Sequence, residues 1–181
     1  TTDNRSGKKV ENVARTDISG AVSWTNLEGA IKEDDQFATV VLDDGQESAE
    51  LKVSDFGITL PPGAETWGII VQLKRRTLTD GGVLQSSRVD LDIAGKAVRW
   101  KFDNDKLTWP RSIIGTHDYG QEIDTWGVDL YPSDVTTPTF AAKLWARKAP
   151  DGGAPGPITG TVDALRVAVW YADGPEKTCK R

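Results

Sequence analysis

The sequence predicts an all-β protein: an antiparallel β-sandwich, jelly-roll-like, of roughly 8–9 strands with an extended N-terminal arm. Three observations predict it. Short segments alternate apolar and polar residues at period two, as in Val98-Arg99-Trp100-Lys101-Phe102 and Leu165-Arg166-Val167-Ala168-Val169. Turn residues separate them, at Asp44-Gly45, Pro61-Pro62-Gly63, Asp80-Gly81-Gly82 and the Pro/Gly-rich run 149–160. No long segment keeps the apolar period of an amphipathic helix.

Taken in order, residues 1–20 read as the arm. TTDNRSGKK is polar and aperiodic, so it is expected to stay mobile until a partner orders it, and VENVARTDIS fits a short helix or a strand. The sandwich domain is expected over 21–173 and a tail over 174–181. Trp24 leads into a turn near Asn26–Gly29, and Phe37–Leu42 forms an apolar strand between acidic turns. SAELKVSDFGITL follows as a strand with a bulge at Gly57. Pro61, Pro62 and Gly63 make a corner, since proline donates no ladder hydrogen bond and the glycine suits a positive φ. Past Trp67 and Gly68, Ile69, Val71 and Leu73 share one face of a strand, and Ile70, Gln72 and Lys74 the other. Val89, Leu91 and Ile93 mark the next strand, and Val98, Trp100 and Phe102 another. The region 103–125 is irregular, and WGVDLYP, FAAKLWARK and VDALRVAVWYA complete the strands.

The chain has 181 residues, which suits one domain with an arm, because domains centre on roughly 100–150 residues. A net charge of −5 and a pI near 4.9 exclude a basic field, so no nucleic-acid partner is expected, and Lys74-Arg75-Arg76 reads as a strand-end charge cluster. No apolar run approaches the ~18 residues that span a bilayer, and the start is polar. A soluble product made in the cytoplasm, without a membrane partner, is the expectation. Cys179 is the single cysteine and cannot form an intramolecular disulfide; it reads as a free thiol of the tail.

Catalytic chemistry is not legible. His117 is the only histidine, sits in GTHDYG without a nucleophile elbow elsewhere, and reads as a loop histidine. One His and one Cys do not make a zinc site. The acidic groups 33–35, 43–44 and 103–105 lack calcium-loop spacing and read as solvated turn residues. Gly95-Lys96 lacks the rest of a phosphate loop. No enzyme, metal or cofactor is expected.

Tryptophan is over-represented, at seven residues, and its placement suggests surfaces. Trp24, Trp67 and Trp100 read as core or core rim. Trp145 and Trp170 fall on the polar phase of their strands, where an outward indole can anchor a protein interface or stack on a sugar. Trp109 and Tyr119 are further stacking candidates.

The order of these pieces is similar to that of a family of β-sandwich proteins found in tailed-phage structural gene clusters and prophages. Its phrase F-G-F-x-I-P-x-G-A-x-I-x-G-I-x-V-x-I-x-R is matched by Phe56, Gly57, Pro61, Gly63, Ala64, Gly68, Ile69, Val71 and Arg75, and the resemblance spans residues 22–172. The phrase describes a sheet corner and brings no catalytic residue. The resemblance implies a non-enzymatic virion protein, a capsid decoration or head-associated protein, with a tail or baseplate component as the neighbouring alternative. Its implied partners are phage capsid or other virion proteins, with homo-oligomers on the particle. Similar sandwiches in secreted bacterial proteins are adhesins or carbohydrate-binding modules, which makes host glycan the alternative partner.

Overall fold

A computed structural model describes residues 1–78, 82–104, 106–153 and 155–174, without the side chains of 150–153. It contains nine strands: β1 (Thr2–Ser6), β2 (Lys9–Val13), β3 (Ala38–Leu42), β4 (Glu50–Ser54), β5 (Glu65–Thr77), β6 (Gly82–Asp92), β7 (Gly115–Tyr119), β8 (Ala141–Gly153) and β9 (Ile158–Ala172). One helical turn, α1 (Pro132–Val135), and a 3-10 turn at Leu27–Ala30 are the only helical pieces among the described residues.

Odd-numbered strands form one sheet, in the order β1-β9-β5-β7 with β3 beside β1 on the same edge of β9. Even-numbered strands form the other, β2-β4-β8-β6. Each successive strand therefore lies in the opposite sheet. The pairings nest: β3 with β9, β4 with β8, β5 with β7, all antiparallel. The innermost pair is β6 with the segment 99–103, joined through the Val89–Lys101 bridge. A nested hairpin wrapped across two sheets is a jelly roll.

Alternation explains the core. Ile69, Val71 and Leu73 of β5 and Leu165, Val167 and Val169 of β9 are buried in register, Ile69 opposite Val169, Val71 opposite Val167 and Leu73 opposite Leu165. They face Leu51 and Val53 of β4 and Leu144 of β8 in the same hydrophobic cluster. The corner closes through Ala64 N–H donating to the Pro61 carbonyl at 3.1 Å, with Gly63 at φ 78°.

Several expectations are corrected here. Residues 2–6 and 9–13 of the expected mobile arm are strands, one in each sheet, because their backbone completes the edges of β9 and β4. The strand expected to run on to Leu60 stops at Ser54, and Asp55 and Gly57 both take left-handed φ. Val98–Phe102 makes one bridge and not a strand, and its aromatic phase points outward, leaving Trp100 and Phe102 exposed. WGVDLYP is no strand: Trp126 and Gly127 have φ of 56° and 76°, and two successive left-handed residues end any extended run. His117 lies on strand β7 and not in a loop. The first two residues of the expected Asp80-Gly81-Gly82 turn, and Cys179 with the tail beyond Gly174, lie outside the described residues.

Gly68 marks where a loop replaces β7 along β5. Ile69 N–H donates to the Asp124 carbonyl at 3.0 Å, and Trp126 Nε1 donates to the Ile69 carbonyl at 2.9 Å. A Cβ at position 68 would stand 2.5 Å from the Glu122 carbonyl oxygen and 2.7 Å from Asp124 N, both backbone atoms. Gly68→Ala is expected to push this loop off β5 at a cost of about 1–3 kcal/mol. Thermal unfolding and the emission of buried Trp126 measure it; an unshifted melt would show that the loop yields freely.

Candidate functional site

Two groups of side chains stand out, one inside and one on the surface. Inside, the phase that buries Ile69, Val71 and Leu73 also carries Arg75 between the sheets. Its Nη1 donates to Asp103 Oδ2 at 2.9 Å and to Ser86 Oγ at 2.8 Å, and it also meets the Tyr119 hydroxyl. Asp103 takes a second bond from Ser86 N–H at 2.7 Å, and the Tyr119 hydroxyl lies 2.7 Å from its Oδ1. Trp109 Nε1 donates to Ser86 Oγ at 3.1 Å. The guanidinium carbon sits 5.7 Å from the Trp109 ring centroid and 5.6 Å from that of Tyr119. This cluster joins β5 and β7 of one sheet to β6 and the 103–109 segment of the other.

The cluster overturns four expectations. Arg75 is not a strand-end surface charge, and Asp103 is not a solvated turn residue; each neutralises the other in the interior. Trp109 and Tyr119 are buried and present no face to a sugar or a partner. Burial pushes the Tyr119 phenol well above the ordinary tyrosine range, Arg75 opposing and Asp103 adding to the effect. His117 stacks edge-on to Tyr119 at 4.7 Å, and burial, helped by Arg75, lowers its pKa, which favours the neutral imidazole at neutral pH. With these polar atoms closed to solvent, the cluster braces the two layers and offers no surface to a substrate.

On the surface, the outer face of the β2-β4-β8-β6 sheet carries a groove of about 440 Å³. Arg88 lies between two indoles, 5.2 Å from the Trp100 centroid and 5.0 Å from that of Trp145, its register partner on β8. Lys143 approaches Trp145 at 5.7 Å. Trp145 is thereby covered and only 8% exposed, whereas Trp100, expected at the core or its rim, is 43% exposed. The stretch after β2 forms one wall: Arg15 pairs with Asp17 at 2.5 Å and with Glu47 at 2.9 Å, and that pairing holds the Asp17 carboxyl down at about 2. Burial raises the Glu50 carboxyl in the same groove. Arg15, Glu47 and Arg88 were not singled out from sequence; Arg88, on the polar phase of β6, was the available signal.

On the opposite face, Trp170 sits in register with Gly68, half-buried, with its Nε1 unpartnered among the described residues. Trp67, expected at the core or its rim, is 49% exposed. Among the described residues no group of three or more His, Cys, Asp or Glu side chains could hold a metal ion. No helix of the described residues is long and apolar enough to cross a membrane.

No family model matches the chain, and no curated protein matches it. A chain in the structure of the infectious bursal disease virus Gx strain is similar at 15% identity and a TM-score of 0.36, over 78% of this chain and 33% of that one. This chain thus spans about a third of that chain's length. A likeness at that level carries no functional argument.

Proposed function

We propose that this chain is a non-enzymatic structural subunit of a tailed-phage particle, bound to other virion proteins as a capsid decoration or head-associated protein. The observation that carries this is the corner phrase from Phe56 to Arg75, which resembles that of proteins in phage structural gene clusters. The surface supports it: Trp67, Phe102, Ile113, Ile123 and Tyr131 are large apolar side chains left exposed, the material of protein contacts. Quantitative peptide mass spectrometry of density-purified particles from the source tests it, with copy number scaled to the major capsid protein. A ratio within a few-fold of the capsid protein is the expected result. A handful of copies per particle moves the subunit to the tail or baseplate. Absence from particles overturns the reading and leaves the Trp100–Arg88 groove, as a glycan site, to be tested by quenching of indole emission.

A further inference from the structure

The groove on the outer face of the β2-β4-β8-β6 sheet has two unlike sides. One is closed on itself. Arg15 directs Nε at 2.9 Å and Nη2 at 2.5 Å to Asp17, and Nη1 at 2.9 Å to Glu47, so its three guanidinium nitrogens are all committed to protein carboxylates.

The other side keeps bonding capacity. Arg88 donates Nε and Nη2 to Asp90 Oδ2, at 3.1 Å and 2.6 Å, and its Nη1 has no hydrogen-bond partner among the described residues. Glu50 lines the groove half-buried, and its carboxylate makes no hydrogen bond and no ion pair among the described residues. Lys143 and Lys52 reach it only through space. Ser87 Oγ donates to the Trp145 carbonyl at 3.3 Å and retains its acceptor lone pairs. Above these groups stands Trp100, 43% exposed, its ring fixed by Arg88 at 5.2 Å and by the tilted Phe102 ring at 5.6 Å. A partly desolvated acceptor, an unused donor and a rigid open indole thus share one concavity of about 440 Å³, within the range of about 300–1,000 Å³ typical of small-molecule sites.

The chemistry of the groove selects among ligands. An anion meets the unpaired Glu50 carboxylate, and a cation meets Arg88. A wholly apolar ligand would take both charges out of water without a partner. A protein partner needs about 800 Å² of its own surface, and interface centres are depleted of acidic side chains. A neutral polyol satisfies both sides, because each hydroxyl donates one hydrogen bond and accepts others. A pyranose adds an apolar C–H face to lay on an indole.

We propose that this groove binds a neutral saccharide, with a pyranose ring on Trp100 and its hydroxyls shared between the Glu50 carboxylate and Arg88 Nη1. Trp100 is the platform, and Trp145 beneath Arg88 is part of the floor. The binding is a property of the purified chain and stands whether or not the chain is a particle subunit.

Titration of the purified chain with neutral hexaoses tests it: maltohexaose, cellohexaose, mannohexaose and chitohexaose, followed by calorimetry and indole emission. Oligogalacturonate and choline serve as anionic and cationic probes. The expected result is saturable binding of at least one neutral hexaose with Kd below about 1 mM, and none of the charged probes. Trp100→Ala should remove the emission change and weaken binding at least about tenfold, and Glu50→Gln, which keeps the shape of the side chain, should weaken it about tenfold. Trp67→Ala, on an exposed indole outside the groove, should leave the affinity unchanged. Unchanged melting curves establish that the variants are folded. Absence of binding to all four hexaoses overturns the proposal. So does binding that Trp100→Ala and Glu50→Gln leave intact, or a preference for oligogalacturonate or choline. None of these results bears on the copy number in particles.

Discussion

Deleting residues 1–13 is expected to lower the thermal midpoint by about 10 °C and to make the chain prone to aggregate. β1 pairs with β9 from Thr2 opposite Trp170 to Ser6 opposite Arg166. β2 pairs with β4 from Lys9 opposite Ser54 to Val13 opposite Glu50. Between them the chain crosses from one sheet to the other at Gly7, where a Cβ would stand 2.2 Å from Val53 Cγ1. A backbone threaded this closely is part of the wall. Val10 packs on the core, Asn4 donates to Gln72 at 2.8 Å across β9, and Asn12 accepts from Trp24 N–H at 2.7 Å. Each ladder bond contributes about 0.5–1.5 kcal/mol net, and ordering the segment offsets much of the sum, leaving about 3–5 kcal/mol. For a domain of this size each kcal/mol moves the midpoint by about 2–4 °C. The deletion also bares edges of β9 and β4, which explains the aggregation. Calorimetry and light scattering check both effects. A midpoint unchanged within about 2 °C would return residues 1–13 to the status of a detachable arm.

Why that arm was misread is physical. β1 reads TDNRS and β2 reads KVENV. Both lie at sheet margins and are held by backbone bonds, which any side chain permits, so no apolar alternation is required of them. The jelly roll was legible where strands are buried, above all in β5 and β9, whose period-two pattern follows from one inward face. Alternation does not say which phase faces in. Trp100 reads as core or core rim on hydrophobicity, yet it lies outside against Phe102, ring centroids 5.6 Å apart. Arg75 had the opposite fate: its phase with Ile69, Val71 and Leu73 announced burial, and only its charge argued otherwise. Asp103, Ser86 and Tyr119 come from three distant segments, so their convergence on Arg75 belongs to the topology and to no local motif. Trp145 falls on the polar phase of its strand, but the indole is closed by Arg88 from the neighbouring strand, which sequence order does not reveal.

Asp103→Ala is expected to cost about 3–5 kcal/mol, because it strands the Arg75 guanidinium in the interior without its counter-charge. The same removal frees Ser86 N–H and the Tyr119 hydroxyl, both bonded to that carboxylate. The midpoint should fall by about 10 °C. Replacing the pair together, Arg75→Met with Asp103→Leu, should recover most of the loss, since a buried ion pair and an apolar pair of similar volume are often nearly equivalent. A double variant no more stable than Asp103→Ala would mean that the network sets the spacing of the sheets rather than neutralising a charge. Tyr119→Phe separates the parts. Below about pH 10 it should cost about 1–2 kcal/mol, the loss of a buried hydroxyl's bonds. The phenol's pKa is raised in the fold, so the folded state holds this proton more tightly than the unfolded chain. Its contribution is therefore complete below the unfolded value near pH 10 and is lost as pH climbs past it. The stability gap between wild type and Tyr119→Phe should narrow between about pH 9 and pH 11. A gap that stays constant across that range would show that Tyr119 ionises as readily inside the sandwich as in the unfolded chain, and that the brace is open to solvent.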